Sequence, residues 1–196
     1  MQIAQFTCPL PPSVNEYLGK RVAYNPITKK PFVQVYETAK AKAYKKHMLI
    51  LLERVKKEYT WQKTGELTYV ICTVDVYLNQ KRKDSDNLFK CLLDSLTQSE
   101  MIYDDSMVIP RVGKVFIDSE NPRLEVELRE SDKKGIFPNY QYQLAFEKEN
   151  CEKCTRFSRN CSIRKEALQN KLRPEIKRLN LIDYSCDALR LKKGYK

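Results

Sequence analysis

The sequence predicts an α+β fold (α/β mixed): a small mixed sheet in the order β-α-β-α-β-β with helices packed on it, then a small helical Cys-rich appendage. Three observations predict it. Residues 66–78 are rich in β-branched and aromatic side chains and alternate along the chain. Two segments, 35–59 and 86–97, carry apolar residues at helical spacing. After residue 150 the composition changes, and four of the seven cysteines fall in that stretch. We therefore divide the chain into a main domain over 1–131, a linker over 132–150 and a basic, mostly helical Cys-rich tail over 151–196.

Residues 1–8 read as a short strand (Ile3, Phe6, Cys8) stopped by Pro9, Pro11 and Pro12. Ser13 to Pro31 is punctuated by Asn, Gly and Pro and reads as a basic loop with Lys20, Arg21, Lys29 and Lys30. Its Tyr17 and Tyr24 are of a type that stacks on unpaired bases, though packing is the commoner use of tyrosine. Val35 to Tyr59 reads as a long helix. Ala39, Ala43, Leu49, Ile50, Leu52 and Val55 form its apolar side, and Lys40, Lys42, Lys45, Lys46, Lys56 and Lys57 its basic side. The strand from Glu66 to Leu78 has apolar residues on both faces, which suits a central position. Met107–Ile117 and Arg123–Arg129 read as strands joined by the turn Asp118-Ser119-Glu120-Asn121-Pro122, hence a hairpin.

A chain of 196 residues supports one ordinary core and a small appendage. No apolar run approaches the roughly 20 residues that cross a bilayer, and no signal-peptide segment opens the sequence, so a soluble cytoplasmic protein with no membrane partner is expected. The formal charge is +11. Residues 1–60 carry 11 Lys/Arg against 4 Asp/Glu, residues 61–130 carry 9 against 13, and residues 131–196 carry 16 against 8. An acidic block between two basic flanks suits a polyanion gripped by the flanks and a cation held in the middle; a solubilising surface gives the same totals. With His47 as the one histidine, a His-based metal site or catalytic triad is excluded.

The acidic block centres on Lys81-Arg82-Lys83-Asp84-Ser85-Asp86-Asn87-Leu88-Phe89-Lys90, followed by Asp104-Asp105. Leu88, Cys91, Leu92, Ser95 and Leu96 recur at helical spacing, with Asp84 or Ser85 as N-cap. Asp86, Lys90 and Asp94 share the other face, so Lys90 can pair with an acid on either side. Two readings compete. In the first, the acids cap a helix and an i,i+4 ion pair decorates a solvated face. In the second, carboxylates that would repel one another gather on a hard divalent cation such as Mg²⁺. The first leaves unexplained the basic triplet at the positive end of the helix dipole, and on residue chemistry alone the two readings stand about even.

The string Asp84-x-Asp86-Asn87-Leu88-x-Lys90-x-x-x-Asp94-x-Leu96, with Asp104-Asp105 beyond it and Pro11-Pro12-Ser13-Val14-Asn15 before it, resembles the signature of the RusA family of Holliday junction resolvases. The likeness runs through Glu130 and does not include the tail. It implies a dimeric, Mg²⁺-dependent endonuclease that cuts four-way DNA junctions in recombination and repair. By that resemblance Asp84, Asp86 and Asp105 match the metal-binding catalytic aspartates and Lys90 the active-site lysine, with Asp104 a supporting neighbour. Lys81, Arg82, Lys83 and Asn15 are then expected to contact DNA. The rival readings are a nuclease for other branched or single-stranded DNA, a non-catalytic DNA-binding protein with a zinc module, and a protein-interaction adaptor.

In the tail, Cys151-x-x-Cys154 has the spacing of a metal knuckle, and Cys161 and Cys186 are the remaining thiols there. Zn²⁺, an iron–sulfur cluster and no metal are all compatible with that pattern. Residues 162–180 read as helical, with Pro174 bending or splitting the helix. Cys8, Cys72 and Cys91 sit in apolar patterns and are expected as buried thiols.

Overall fold

The computed structural model describes residues 1–80 and 86–194, apart from the side chains of Asp86 and Ser158. The chain divides into two compact units, one of Gln2–Thr64 and Val70–Arg129, the other of Met1, Gly65–Tyr69 and Glu130–Lys196.

The first unit is built on a four-stranded sheet of β1 (Ile3–Pro9), β4 (Val70–Leu78), β5 (Val108–Ile117) and β6 (Arg123–Glu130) in the order β1-β6-β4-β5. β1 pairs antiparallel with β6 from Ile3 opposite Arg129 to Pro9 opposite Arg123. β4 pairs parallel with β5 from Val70 opposite Val108 to Leu78 opposite Ile117. A parallel neighbour requires a crossover, and α3 (Phe89–Gln98) lies in the connection. The mixed α+β class is thus as expected, with β4 central. The expected hairpin of β5 and β6 is not formed, because β4 lies between them. The five residues 118–122 bridge over its end, where Asp118 N donates to Leu78 O at 2.7 Å.

Packing follows the residue pattern. Along β4, Val70, Cys72, Val74, Val76 and Leu78 are buried while Ile71, Thr73, Asp75 and Tyr77 are only partly covered, so the period-two pattern puts one full face into the core. In α3 the buried set is Cys91, Leu92, Leu93, Ser95 and Leu96. Leu92 and Leu96 are wholly inaccessible, each contributing about 1.5–3 kcal/mol by burial. A single 3₁₀ turn, Asp86–Leu88, leads into it. The expected caps Asp84 and Ser85 lie outside the described residues.

The long helix α2 spans Ala39–Glu58, capped by Thr38, whose hydroxyl accepts from Ala41 N. It starts later than the sequence pattern suggests because Val35–Glu37 belong to a strand. Its buried stripe is Ala41, Tyr44, Met48, Leu52 and Val55, rather than the face through Ala43 and Ile50, which are exposed. Tyr44 and Met48 outbid smaller residues for the core because they cover more apolar area. The expected basic loop over 13–31 is structured. It holds the short helix α1 (Val14–Tyr17) and a two-stranded ribbon of β2 (Leu18–Tyr24) and β3 (Pro31–Glu37). Val22, Phe32, Val33 and Val35 are exposed on the ribbon. Cys8, Cys72 and Cys91 are buried thiols, as their apolar settings foretell.

The second unit has its own core of Phe137, Phe146, Cys151, Ile163, Ala167 and Ile176. The stretch 132–150 read as a linker therefore supplies core residues, and it contains α4 (Tyr140–Phe146), with Asn139 accepting from Gln141 N and Tyr142 N as N-cap. The tail is less helical than expected. The helix α5 stops at Leu168 after starting at Ser162, and a small antiparallel pair follows, β7 (Ile176–Arg178) with β8 (Tyr184–Cys186). The helix ends early because Asn170 takes a left-handed conformation, φ 63°. Gly135, also at positive φ, lies against Ala167 O with no room for a Cβ. Among the described residues no helix is long and apolar enough to cross a membrane.

Candidate active site

Three parts of the first unit meet beside α3. Its outward face carries Lys90 and Asp94 one turn apart, and the chain returning from it presents Asp104 and Asp105 at a 3₁₀ turn, Asp105–Met107, just before β5. Asp104 caps that turn, accepting from Ser106 N at 3.0 Å and from the Ser106 hydroxyl. These bonds from the Ser106 side chain and backbone hold its carboxyl below the usual range. Being committed to the turn, Asp104 sets the direction of the residue that follows.

Lys90 Nζ lies 2.8 Å from Asp94 Oδ1 and 3.0 Å from Asp105 Oδ2. The hydrogen bond to Asp94, then that to Asp105, pushes the Lys90 pKa up to about 12, so the ammonium is fully charged at neutral pH. Asp94 is the hub on the inner side. Burial alone would raise its carboxyl, but hydrogen bonds from Lys90 and Tyr17 outweigh that and draw it below the usual range. The buried Tyr17 hydroxyl contacts Asp94 Oδ2 and lies 2.8 Å from Glu37 Oε1. One phenolic proton cannot serve two carboxylates at once, and a second cation balances the pair: Lys45 Nζ stands 2.6 Å from Glu37 and 3.6 Å from Asp94. Burial first, then both carboxylates, push the Tyr17 hydroxyl well above its ordinary pKa, so it remains a neutral donor.

These groups border an open cleft of about 470 Å³ lined by Glu37, Lys45, Asp94, Thr97, Asp104 and Asp105. Its chemistry is that of oxygen donors interleaved with lysines, with Asp105 and Glu37 both part-exposed (38% and 35% of the side chain). Carboxylate oxygens are the donor type that a divalent cation takes, with water and phosphate as further ligands; here Glu37, Asp94 and Asp105 are engaged by Lys45, Lys90 and Tyr17.

The structure sets Lys90 beside Asp94, as the helical spacing implies, and brings Asp105 to the same ammonium from the chain beyond the helix. Asp84, Lys81, Arg82 and Lys83 lie outside the described residues, and of Asp86 only the backbone is described. Among the described residues no set of three or more His, Cys, Asp or Glu is gathered to hold a metal ion. Asn15 is exposed on α1. Of the two uses open to Tyr17, base stacking and packing, the structure shows packing: it is buried against the carboxylates, where its hydroxyl finds its partners; Tyr24 is exposed. The sequence reading missed Glu37 and gave Lys45 no role beyond a basic helix face. The one available signal was that Glu37 breaks an apolar run just ahead of a helix cap.

The family model described as Endodeoxyribonuclease RusA matches residues 9–129. The chain belongs to the RusA family. The matched stretch contains all of the residues that line the cleft and stops at the end of β6, before the Cys-rich segment. No curated protein matches the chain.

Proposed function

We propose that this RusA-family chain is a Mg²⁺-dependent, structure-selective endonuclease. It resolves four-way DNA junctions by phosphodiester hydrolysis during recombination and repair, working in the cytoplasm as a homodimer. The observation that carries the reading is Lys90 held between Asp94 and Asp105 at the mouth of an acidic cleft, within the stretch the family matches. Asp105 would share the cation with Asp84 and Asp86. When bound, Mg²⁺ supplies charge that polarises the scissile phosphate and lowers the pKa of a water nucleophile. The chain's own contribution is positional. Lys90 presents an ammonium to phosphate oxygens as negative charge builds on them, and Asp94, fixed by Tyr17, keeps that ammonium aimed. Lys81, Arg82, Lys83 and Asn15 serve to grip the DNA backbone. Exposed Val112, Val115, Phe116 and Ile117 along β5, one of the two edge strands of the sheet, support pairing with a second copy, which would give two cuts related by a twofold axis.

The test is cleavage of a synthetic four-way junction, flap and linear duplex by equal protein, with and without Mg²⁺. Symmetric nicking of the junction alone, lost on chelation and in Asp105→Asn while junction binding persists, is the expected result. Preferential cutting of the flap would move the substrate to other branched DNA. Binding without cutting under every metal condition would make the protein a non-catalytic binder.

A further inference from the structure

The four tail thiols approach one another from separate segments. Cys151 ends a π-helical turn, Glu147–Cys151. Cys154 follows in a tight turn, with its N–H donating to Cys151 O at 2.9 Å. Asn160 then adopts a left-handed conformation, φ 62°, which reverses the chain and delivers Cys161 as the residue ahead of α5. Cys186 arrives last, at the end of β8. All four border one small cavity of about 20 Å³, walled on its apolar side by Phe157 and Ile163.

We propose that Cys151, Cys154, Cys161 and Cys186 form a structural Zn²⁺ site that ties the end of the chain to the second core. The proposal stands apart from the nuclease reading, since none of these residues lies in the family-matched stretch. Several observations point to a ligand rather than to four incidental thiols. Backbone N–H groups are aimed at sulfur: Arg190 N donates to Cys154 Sγ at 3.5 Å, and the Ala188 amide hydrogen-bonds Cys186. Such outer partners orient metal-binding thiolates and temper their charge. Asn150, buried beside Cys151, accepts from Cys186 N at 3.0 Å and donates to Phe146 O at 3.1 Å, so the segments bearing the first and last thiols are locked together. Pairing of Thr155 N with Arg190 O at 2.8 Å, and of Lys192 N with Lys153 O at 2.9 Å, does the same for the loop around Cys154. All four cysteines are free thiols.

Two further considerations choose the metal. A soft four-sulfur set selects Zn²⁺ or iron–sulfur chemistry. The Cys151-x-x-Cys154 pair has the spacing of a structural zinc knuckle, which favours zinc as the ion to test first. As placed, no three thiols are close enough to hold an ion, so zinc binding would require the cysteine side chains to turn inward from the positions they hold here. Zinc binding would displace the thiol protons and couple ion occupancy to folding of this unit.

The full-length protein, purified without chelators, should contain one zinc per chain by plasma mass spectrometry. Cys161→Ala and Cys186→Ala should each lower that content severalfold, while Cys8→Ala should leave it at one. If the tail variants do not fold, the unmodified protein still decides the matter. Exchange with Co²⁺ should give the absorption of tetrahedral thiolate cobalt, and titration with a mercurial should release one equivalent of zinc. A metal-free protein whose tail thiols react promptly with a thiol reagent would overturn the proposal. So would stoichiometric iron and acid-labile sulfide, or a cobalt spectrum without thiolate charge transfer.

Discussion

Lys90 Nζ lies 3.0 Å from Asp105 Oδ2, although fifteen positions separate the two residues. The contact exists because α3 ends at Gln98 and the chain doubles back to start β5, returning Asp105 to the helix face that it left. A lysine paired this way already partly neutralises the acid that the proposed chemistry needs near a cation. On the proposed mechanism the ammonium, still anchored by Asp94, turns from Asp105 toward an incoming phosphate. Lys90→Ala should therefore slow single-turnover junction cleavage by on the order of 10²-fold, with little change in junction affinity. Lys90→Arg should retain the charge but lose part of the rate, since a planar guanidinium does not replace a compact ammonium. Cleavage by Lys90→Ala at the parental rate would remove Lys90 from the mechanism.

On the proposed mechanism Asp94 acts through Lys90 rather than on substrate. Asp94→Asn keeps the shape and can still accept from Tyr17, but it withdraws the charge that stations Lys90 and Lys45. Its cleavage rate should fall roughly tenfold, an effect of misplacement rather than of lost chemistry. Tyr17→Phe should fall less, because it removes only one of the bonds that fix the Asp94 carboxylate. If Asp94→Asn and Lys90→Ala act through one contact, the double variant should be no slower than Lys90→Ala alone. Additive losses would show that Asp94 contributes independently.

The same pairing predicts a pH signature in stability. Hydrogen bonding to Asp94, then to Asp105, pushes the folded-state pKa of Lys90 up to about 12, above the unfolded value of about 10.4. A raised lysine contributes stability that is fully present below the unfolded value and is lost as pH climbs toward the folded one. Denaturant midpoints of the parent should therefore exceed those of Lys90→Met up to pH ~10, and the gap should narrow between pH ~10.4 and ~12. Half of the Lys90 side chain is solvent-exposed, so screening keeps the gap small. A gap that widens over that interval would mean that the ion pair costs stability.

Much of this site is written in short-range pattern, and the rest is not. Leu88, Cys91, Leu92, Ser95 and Leu96 announce α3 because a helix repeats its buried face every three to four residues. That periodicity fixes Lys90 beside Asp94 without any tertiary information. Glu37 and Tyr17 belong to the same cluster, yet each reaches it through a long-range fold, and a tyrosine buried between carboxylates leaves no local trace. The ribbon of β2 and β3 is hidden for a related reason. Its apolar residues lie on exposed surfaces, while Asn25, Pro26 and the flanking lysines read as loop punctuation. Strand order fails at 118–122 because a five-residue turn between two strands ordinarily means a hairpin, and only the sheet shows β4 between them.

The exposed apolar edge gives a prediction about assembly. Val115 and Ile117 on β5 are each half exposed, and an unpaired strand edge with such side chains invites a partner strand. Val115→Lys places a charge there, a common device for blocking edge pairing. Light scattering should show the parent as a dimer and the variant shifted toward monomer, with paired junction cuts uncoupled into single nicks. A monomeric parent at micromolar concentration would sink the dimer reading while leaving the site chemistry untouched.

Asp75 and Gly113 make the last case, one in which a polar side chain and a glycine specify each other. The register of β4 against β5 shifts between Val74 and Val76, leaving an extra residue on β5 at that point. Asp75 Oδ1 fills the irregularity by accepting from Lys114 N at 2.8 Å. A Cβ at Gly113 would sit 2.2 Å from that oxygen, so Gly113→Ala must displace the carboxylate and break its bond. We expect destabilisation of roughly 1–3 kcal/mol, the usual range for a forced overlap with a lost hydrogen bond. Asp75→Ala should cost less by itself, because Lys114 N can turn to water. The decisive measurement is the double variant. With the carboxylate gone the added methyl has space, so Gly113→Ala in the Asp75→Ala background should be nearly neutral by denaturant unfolding. An unchanged penalty there would show that the backbone of β5, and not the Asp75 side chain, forbids a side chain at position 113.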